Sequence, residues 1–113
     1  MSEAANYIEL CAVGDVSQDL PFKAQIDGTD LAVFQIGDAY YVTQDLCSHG
    51  PGSLCEGYVD GEEIECPFHQ GKFNIITGKP TAPPCTEALK IWNVAVKDNK
   101  IMIDPASGHV AAA

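Results

Sequence analysis

Turn dipeptides punctuate this chain too closely for long helices: Asp27-Gly28, Gly37-Asp38, Asp60-Gly61, Thr77-Gly78 and Asp98-Asn99. Between them run short stretches rich in β-branched and aromatic residues, with no helical period of useful length. Asp-Gly between two such stretches is a strong hairpin signal, because its residues tolerate the positive φ that a tight turn needs. The chain therefore reads as all-β. Strands are expected over residues 7–12, 22–26, 31–36 and 39–43, then 57–59, 62–65 and 72–74, and finally 89–96 and 101–103. Asn93 should interrupt the 89–96 strand without breaking it, and a short helical turn is expected within 15–20. Thr81-Ala82-Pro83-Pro84 cannot be a central strand, since neither proline donates a ladder hydrogen bond, and should form a stiff surface loop. Residues 105–113 are small and weakly hydrophobic, the composition of a flexible tail.

The chain is 113 residues long, room for one domain and one core, with no repeat and no linker that would divide it. That length leaves little for a separate catalytic domain, so hard chemistry is expected from a cofactor, and hydrophobic residues at 46% are enough for a packed interior. Sixteen acidic side chains face six lysines and no arginine, a net charge of -10. Nucleic acid is excluded as a partner, because phosphate binding needs clustered cations. The same field would steer the protein toward basic patches on other proteins, although solubility alone explains it equally well. Residues 1–7 lack the basic start and apolar run of a signal peptide, and no stretch reaches membrane-spanning length, so a cytoplasmic setting is expected. In that reducing compartment five cysteines are ligands or thiols rather than a disulfide framework.

The residues that carry chemistry are Cys47-Ser48-His49 and, after 16 intervening residues, Cys66-Pro67-Phe68-His69. Each segment offers one thiolate and one imidazole, and the glycines and proline that follow suit loops folding back around a compact centre. Zinc fingers separate the ligand types, with both cysteines in one hairpin and both histidines on one helix. Here the types are interleaved. A 2Fe-2S cluster explains that distribution, two thiolates serving one iron and two imidazoles the other. A zinc-stabilised interaction module and four unrelated loop residues remain the alternatives. Cys11, Cys55 and Cys85 read as small hydrophobes or free thiols, His109 as a solvated tail residue, and Trp92 as a core residue.

Asp45-Leu46-Cys47-Ser48-His49-Gly50 and Glu65-Cys66-Pro67-Phe68-His69-Gln70-Gly71-Lys72-Phe73 resemble the two cluster loops of the Rieske-type 2Fe-2S ferredoxins of bacterial aromatic-ring-hydroxylating dioxygenase systems. The resemblance spans roughly residues 7–104. It implies an antiparallel β-sandwich base (7–44 and 85–104) carrying a cluster-binding subdomain (about 45–84), with 81–84 as a proline loop beside one Rieske cluster held by Cys47, His49, Cys66 and His69. It also implies a one-electron carrier, itself not an enzyme, between an NADH-dependent flavin-containing ferredoxin reductase and a terminal oxygenase; a monomer is expected, although the sequence does not decide the oligomeric state. A Rieske-like electron-transfer subunit of another oxygenase or reductase is the nearest alternative.

Two departures from the wider family bear on the redox potential. Rieske proteins of respiratory complexes carry an extra disulfide at the positions of Gly52 and Phe68, and hydroxyl donors at those of Gly71 and Phe73; neither feature is present here. Hydrogen bonds to cluster sulfur stabilise the added electron, so their loss lowers the potential toward the bottom of the Rieske range of about -150 to +300 mV. Glu56, Asp60, Glu62, Glu63 and Glu65, between the two loops, lower it slightly further. Pro51, Phe68, Pro83 and Pro84 are candidates for an apolar rim around the histidine edges. Reduction beside two imidazoles should raise their pKa and make the midpoint fall at alkaline pH.

Overall fold

A computed structural model describes residues 6–47, 52–67, 71–83 and 87–110. Its strands are β1 (Ile8–Ala12), β2 (Phe22–Ile26), β3 (Thr29–Ile36), β4 (Ala39–Gln44), β5 (Tyr58–Asp60), β6 (Glu63–Glu65), β7 (Lys72–Asn74), β8 (Pro80–Ala82), β9 (Lys90–Trp92), β10 (Val94–Lys97), β11 (Lys100–Ile103) and β12 (His109–Val110). They form three antiparallel sheets in the orders β1-β11-β10, β12-β9-β4-β3-β2 and β5-β6-β7-β8.

The turn dipeptides explain much of this connectivity. Asp27 and Gly28 have φ of 50° and 81°, and Asp98 and Asn99 have 53° and 63°. Two consecutive positive φ values match the right-handed twist of the flanking strands, so β2–β3 and β10–β11 close as tight hairpins.

The five-stranded sheet is the middle layer, and β3 shows why. Leu31 and Val33 point to one side, into a core shared with Cys11 of β1 and Ile101 and Ile103 of β11. Ala32 and Phe34 point to the other, into a core shared with Ile64 of β6 and Phe73 of β7. Because both faces are covered, residues 31–34 form a continuous buried run rather than an alternating one. Each of the large side chains fully buried on either side, such as Phe34 and Phe73, contributes about 1.5–3 kcal/mol. The first core builds the base; the second joins the base to the four-stranded sheet.

Four expectations need correction. The helical turn lies at Val13–Asp15, where the Asp15 carboxylate accepts the Ala12 N–H at 3.0 Å; residues 17 and 20 form an isolated bridge instead. Asn93 does break its strand: β9 pairs with β4 in the middle sheet, while β10 pairs with β11 in the other. The crossing is held by the Asn93 N–H donating to Ser107 Oγ at 2.9 Å and the Asp104 N–H to the Asn93 carbonyl. Thr81 and Ala82 belong to β8, an edge strand whose first residue is Pro80, a position where the missing N–H is tolerated. Residues 105–110, expected as a loose tail, form a 3-10 turn capped by Asp104 and the edge strand β12. His109 there is exposed, its Nδ1 at 2.8 Å from the Ser107 carbonyl. Trp92 is half-buried against the base core, with Lys90 Nζ 5.4 Å from its ring centroid.

Candidate metal centre

Two hairpins carry the candidate cysteines, and they close in the same way. In the first, the chain leaves β4, the Asp45 N–H donates to the Asp30 carbonyl at 3.2 Å, Leu46 bridges Ser53, and the Cys47 N–H donates to the Gly52 carbonyl at 2.9 Å. In the second, β6 leads into Cys66, whose N–H donates to the Gly71 carbonyl at 2.8 Å before β7 begins. Each cysteine thus bonds a glycine five residues on. The hairpins are equivalent in frame, and each cysteine occupies the same position at the base of a tip.

Cys47 is 2% exposed and Cys66 0%, and both lie in one apolar cluster with Leu54, Ile64, Phe73, Ile75 and Leu89. The structure therefore brings these two expected ligands together, in a setting that excludes water from their sulfurs. His49 and His69 fall between the closing residues of the two tips and lie outside the described residues, as do Pro51, Phe68, Pro84 and Cys85. Phe73 is fully buried in the same cluster as the cysteines, and Gly71 is buried, so neither position offers a side-chain hydroxyl.

What holds the hairpins together is a close backbone approach. After the first loop the chain makes a 3-10 turn, Leu54–Glu56, then Gly57. A Cβ at Gly57 would overlap the carbonyl oxygen of Glu65, the residue before Cys66. Only glycine lets the exit of one loop lie against the entry of the other.

Asp45 is the feature that residue patterns missed. It is the charged side chain among the described buried residues, at 3% exposure. Its Oδ2 accepts Ser53 Oγ–H at 2.7 Å and faces Lys23 Nζ at 3.4 Å; its Oδ1 accepts the Cys55 N–H at 3.0 Å. Burial pushes its carboxyl up, but the bonds from Ser53 and Cys55 and the Lys23 ammonium outweigh that and hold it below the ordinary carboxylate value. The signal in the sequence was register: Asp45 lies one residue past the end of β4 and two after the buried Thr43. Cys55 is half-buried, its thiol pushed strongly up by burial and by Asp45. Cys11 is buried in the base core, pushed up to about 11 by burial and then by Asp15 and Glu9. Neither is an activated thiol.

The donor set fits a 2Fe-2S cluster: two buried sulfurs in one apolar site, from hairpins of matching geometry, suit two thiolates on a single iron. Comparison with known proteins agrees. The Rieske [2Fe-2S] domain pattern matches residues 6–93. The chain is 40% identical to ferredoxin CarAc of Metapseudomonas resinovorans, over 86% of this chain and 92% of that protein. It is 36% identical to the ferredoxin component of the naphthalene 1,2-dioxygenase system of Pseudomonas putida, over 87% and 94% respectively. Among solved structures, the ferredoxin in a complex of reduced oxygenase and oxidized ferredoxin in carbazole 1,9a-dioxygenase superposes with a TM-score of 0.80 at 38% identity, covering 89% of this chain and 94% of that one. Paired cysteine hairpins in an antiparallel three-sheet fold, together with these matches over most of the chain, place this protein in the Rieske [2Fe-2S] domain family, as a ferredoxin carrying one Rieske-type cluster.

Proposed function

We propose that this protein is the ferredoxin component of an aromatic-ring-hydroxylating dioxygenase system, carrying single electrons from a flavin-containing, NADH-dependent reductase to the Rieske centre of a terminal oxygenase. The observation that supports it most is the pair of equivalently closed hairpins burying Cys47 and Cys66 in one apolar cluster. His49 and His69, from the same two tips, complete the proposed ligand set. When bound, a 2Fe-2S cluster accepts and returns one electron.

The residues of this chain supply the surroundings for that exchange. Leu54, Ile64 and Phe73 keep water from the cysteine sulfurs. Leu46, beside Cys47, is 59% exposed, and Pro83 is exposed in the turn after β8; both offer apolar surface for a brief, dry encounter. Such electron-transfer contacts bury less than about 1,200 Å². The net charge of -10 favours partners with basic docking faces. The likeness to a ferredoxin solved in complex with its oxygenase supports the acceptor assignment. No helix among the described residues is long and apolar enough to cross a membrane.

Reconstitution tests the reading. The protein, a candidate reductase and a candidate oxygenase are combined with NADH and an arene, and product is measured per electron delivered. Turnover that requires this protein, and is lost in Cys47→Ser and His69→Ala, supports the proposal; turnover unaffected by its omission refutes it.

A further inference from the structure

The two cysteine hairpins share a frame but not an anchor. Two residues before Cys66 stands Ile64, an apolar side chain at 0% exposure. Two residues before Cys47 stands Asp45, a carboxylate at 3% exposure. Around it gather both ends of the first loop. The Asp45 carbonyl accepts the Leu54 N–H at 2.7 Å, and its side chain accepts the Cys55 N–H and the Ser53 hydroxyl. The remaining charge is answered by Lys23, which reaches across from β2 at the edge of the middle sheet, its own side chain 42% exposed.

Burying a carboxylate costs several kcal/mol unless it is paired and hydrogen-bonded. An apolar residue like Ile64 would avoid that cost but would leave the Cys55 N–H and the Ser53 hydroxyl without the acceptors they have here. The carboxylate therefore closes the loop by hydrogen bonds and at the same time places a charge two residues from Cys47. A fixed negative charge beside one thiolate ligand, and a positive charge beside it in turn, act on any electron placed at the centre through a low-dielectric interior.

We infer that Asp45 is a positioning residue for the cluster: its carboxylate clamps the first loop around Cys47 and, coupled to Lys23, sets how readily the centre accepts an electron. The inference rests on Cys47 being a ligand. It separates two contributions with opposite electrical signs. Replacing Lys23 removes a positive charge and leaves the clamp bonds in place, so the added electron is held less tightly. Replacing Asp45 by asparagine removes the negative charge; its one side-chain oxygen keeps the acceptor for the Cys55 N–H, and its amide N–H donates to the Ser53 hydroxyl oxygen in place of the bond accepted from it, so the electron is held more tightly.

The test is a spectroelectrochemical titration of the purified holoprotein and of Lys23→Gln, Asp45→Asn and Ser53→Ala, with the visible spectrum recorded in each. Lys23→Gln should lower the midpoint, by about twofold to fivefold in the reduction equilibrium for a half-exposed charge. Asp45→Asn should raise it by about tenfold, which is about 59 mV for a one-electron couple. Ser53→Ala should weaken retention of the cluster on incubation with chelator. Asp45→Asn that fails to hold the cluster, together with a lowered midpoint in Lys23→Gln, supports the same conclusion. Midpoints that do not move in Lys23→Gln, or that move in the same direction in both charge variants, overturn it. A colourless wild type would remove the cluster itself and the inference with it, whereas a coloured wild type with unmoved variants removes the inference alone.

Discussion

Gly57→Ala should be among the most damaging single-methyl changes in this chain. The glycine sits at φ -86° and ψ -165°, a conformation open to any residue, so the penalty comes from contact rather than backbone strain. An added Cβ would overlap the Glu65 carbonyl oxygen, and would lie 3.2 Å from the Glu65 carbonyl carbon and 3.3 Å from the Leu54 carbonyl oxygen. All three are backbone atoms, which cannot swing aside as a side chain does. The hairpins must separate by about 1 Å, in an interior packed as tightly as a crystal. Overpacking costs about 1–3 kcal/mol, and backbone neighbours put this case near about 3 kcal/mol. For a domain of this size each kcal/mol lowers Tm by about 4–8 °C, so a fall of about 12–24 °C is expected in thermal melts followed by circular dichroism. Gly14→Ala is the control, since a Cβ there meets nothing within 4 Å, and it should melt within about 3 °C of wild type. Equal melting temperatures for Gly57→Ala and wild type would refute the close approach of the two loops.

Three further outcomes are expected. The midpoint potential should lie near the bottom of the Rieske range of about -150 to +300 mV, because Gly71 and Phe73 offer no hydroxyl to the cluster; a strongly positive value in potentiometric titration would contradict this. Cys11, raised from 9.0 to about 11 on folding, favours the native state fully below pH 9 and loses that contribution as pH climbs through 11. Denaturant unfolding should therefore show wild type losing about 2 kcal/mol more than Cys11→Ala between pH 9 and 11; parallel pH profiles would remove the burial argument. The second-order rate of electron transfer to either partner should fall as salt rises, and a flat dependence measured by stopped flow would remove the role of the -10 charge in steering.

The fold was legible where a residue's own backbone preference decides the outcome. Asp27-Gly28 and Asp98-Asn99 are residue types that tolerate positive φ, which they adopt here, and the strands they join followed. It was less legible where two distant segments compete. Nothing local to Asn93 reveals that the strand divides between two sheets, because the decision is made by Ser107 and Asp104 reaching back from the 3-10 turn. Those same contacts order residues 105–110, which read as tail because small residues carry little hydrophobic signal of their own. At the centre, cysteines and histidines announced themselves by spacing. Asp45 did not, since an aspartate before a loop reads as a surface residue until Ser53, Cys55 and Lys23 are seen around it.

Iron and acid-labile sulfide analysis combined with an anaerobic reductive titration bears most directly on the central claim, that this chain carries a 2Fe-2S cluster rather than a zinc ion. Two irons and two sulfides per chain, bleached by about one electron per chain, are expected of a Rieske-type cluster. A colourless protein holding a single zinc per chain, and taking up no electrons, would contradict it.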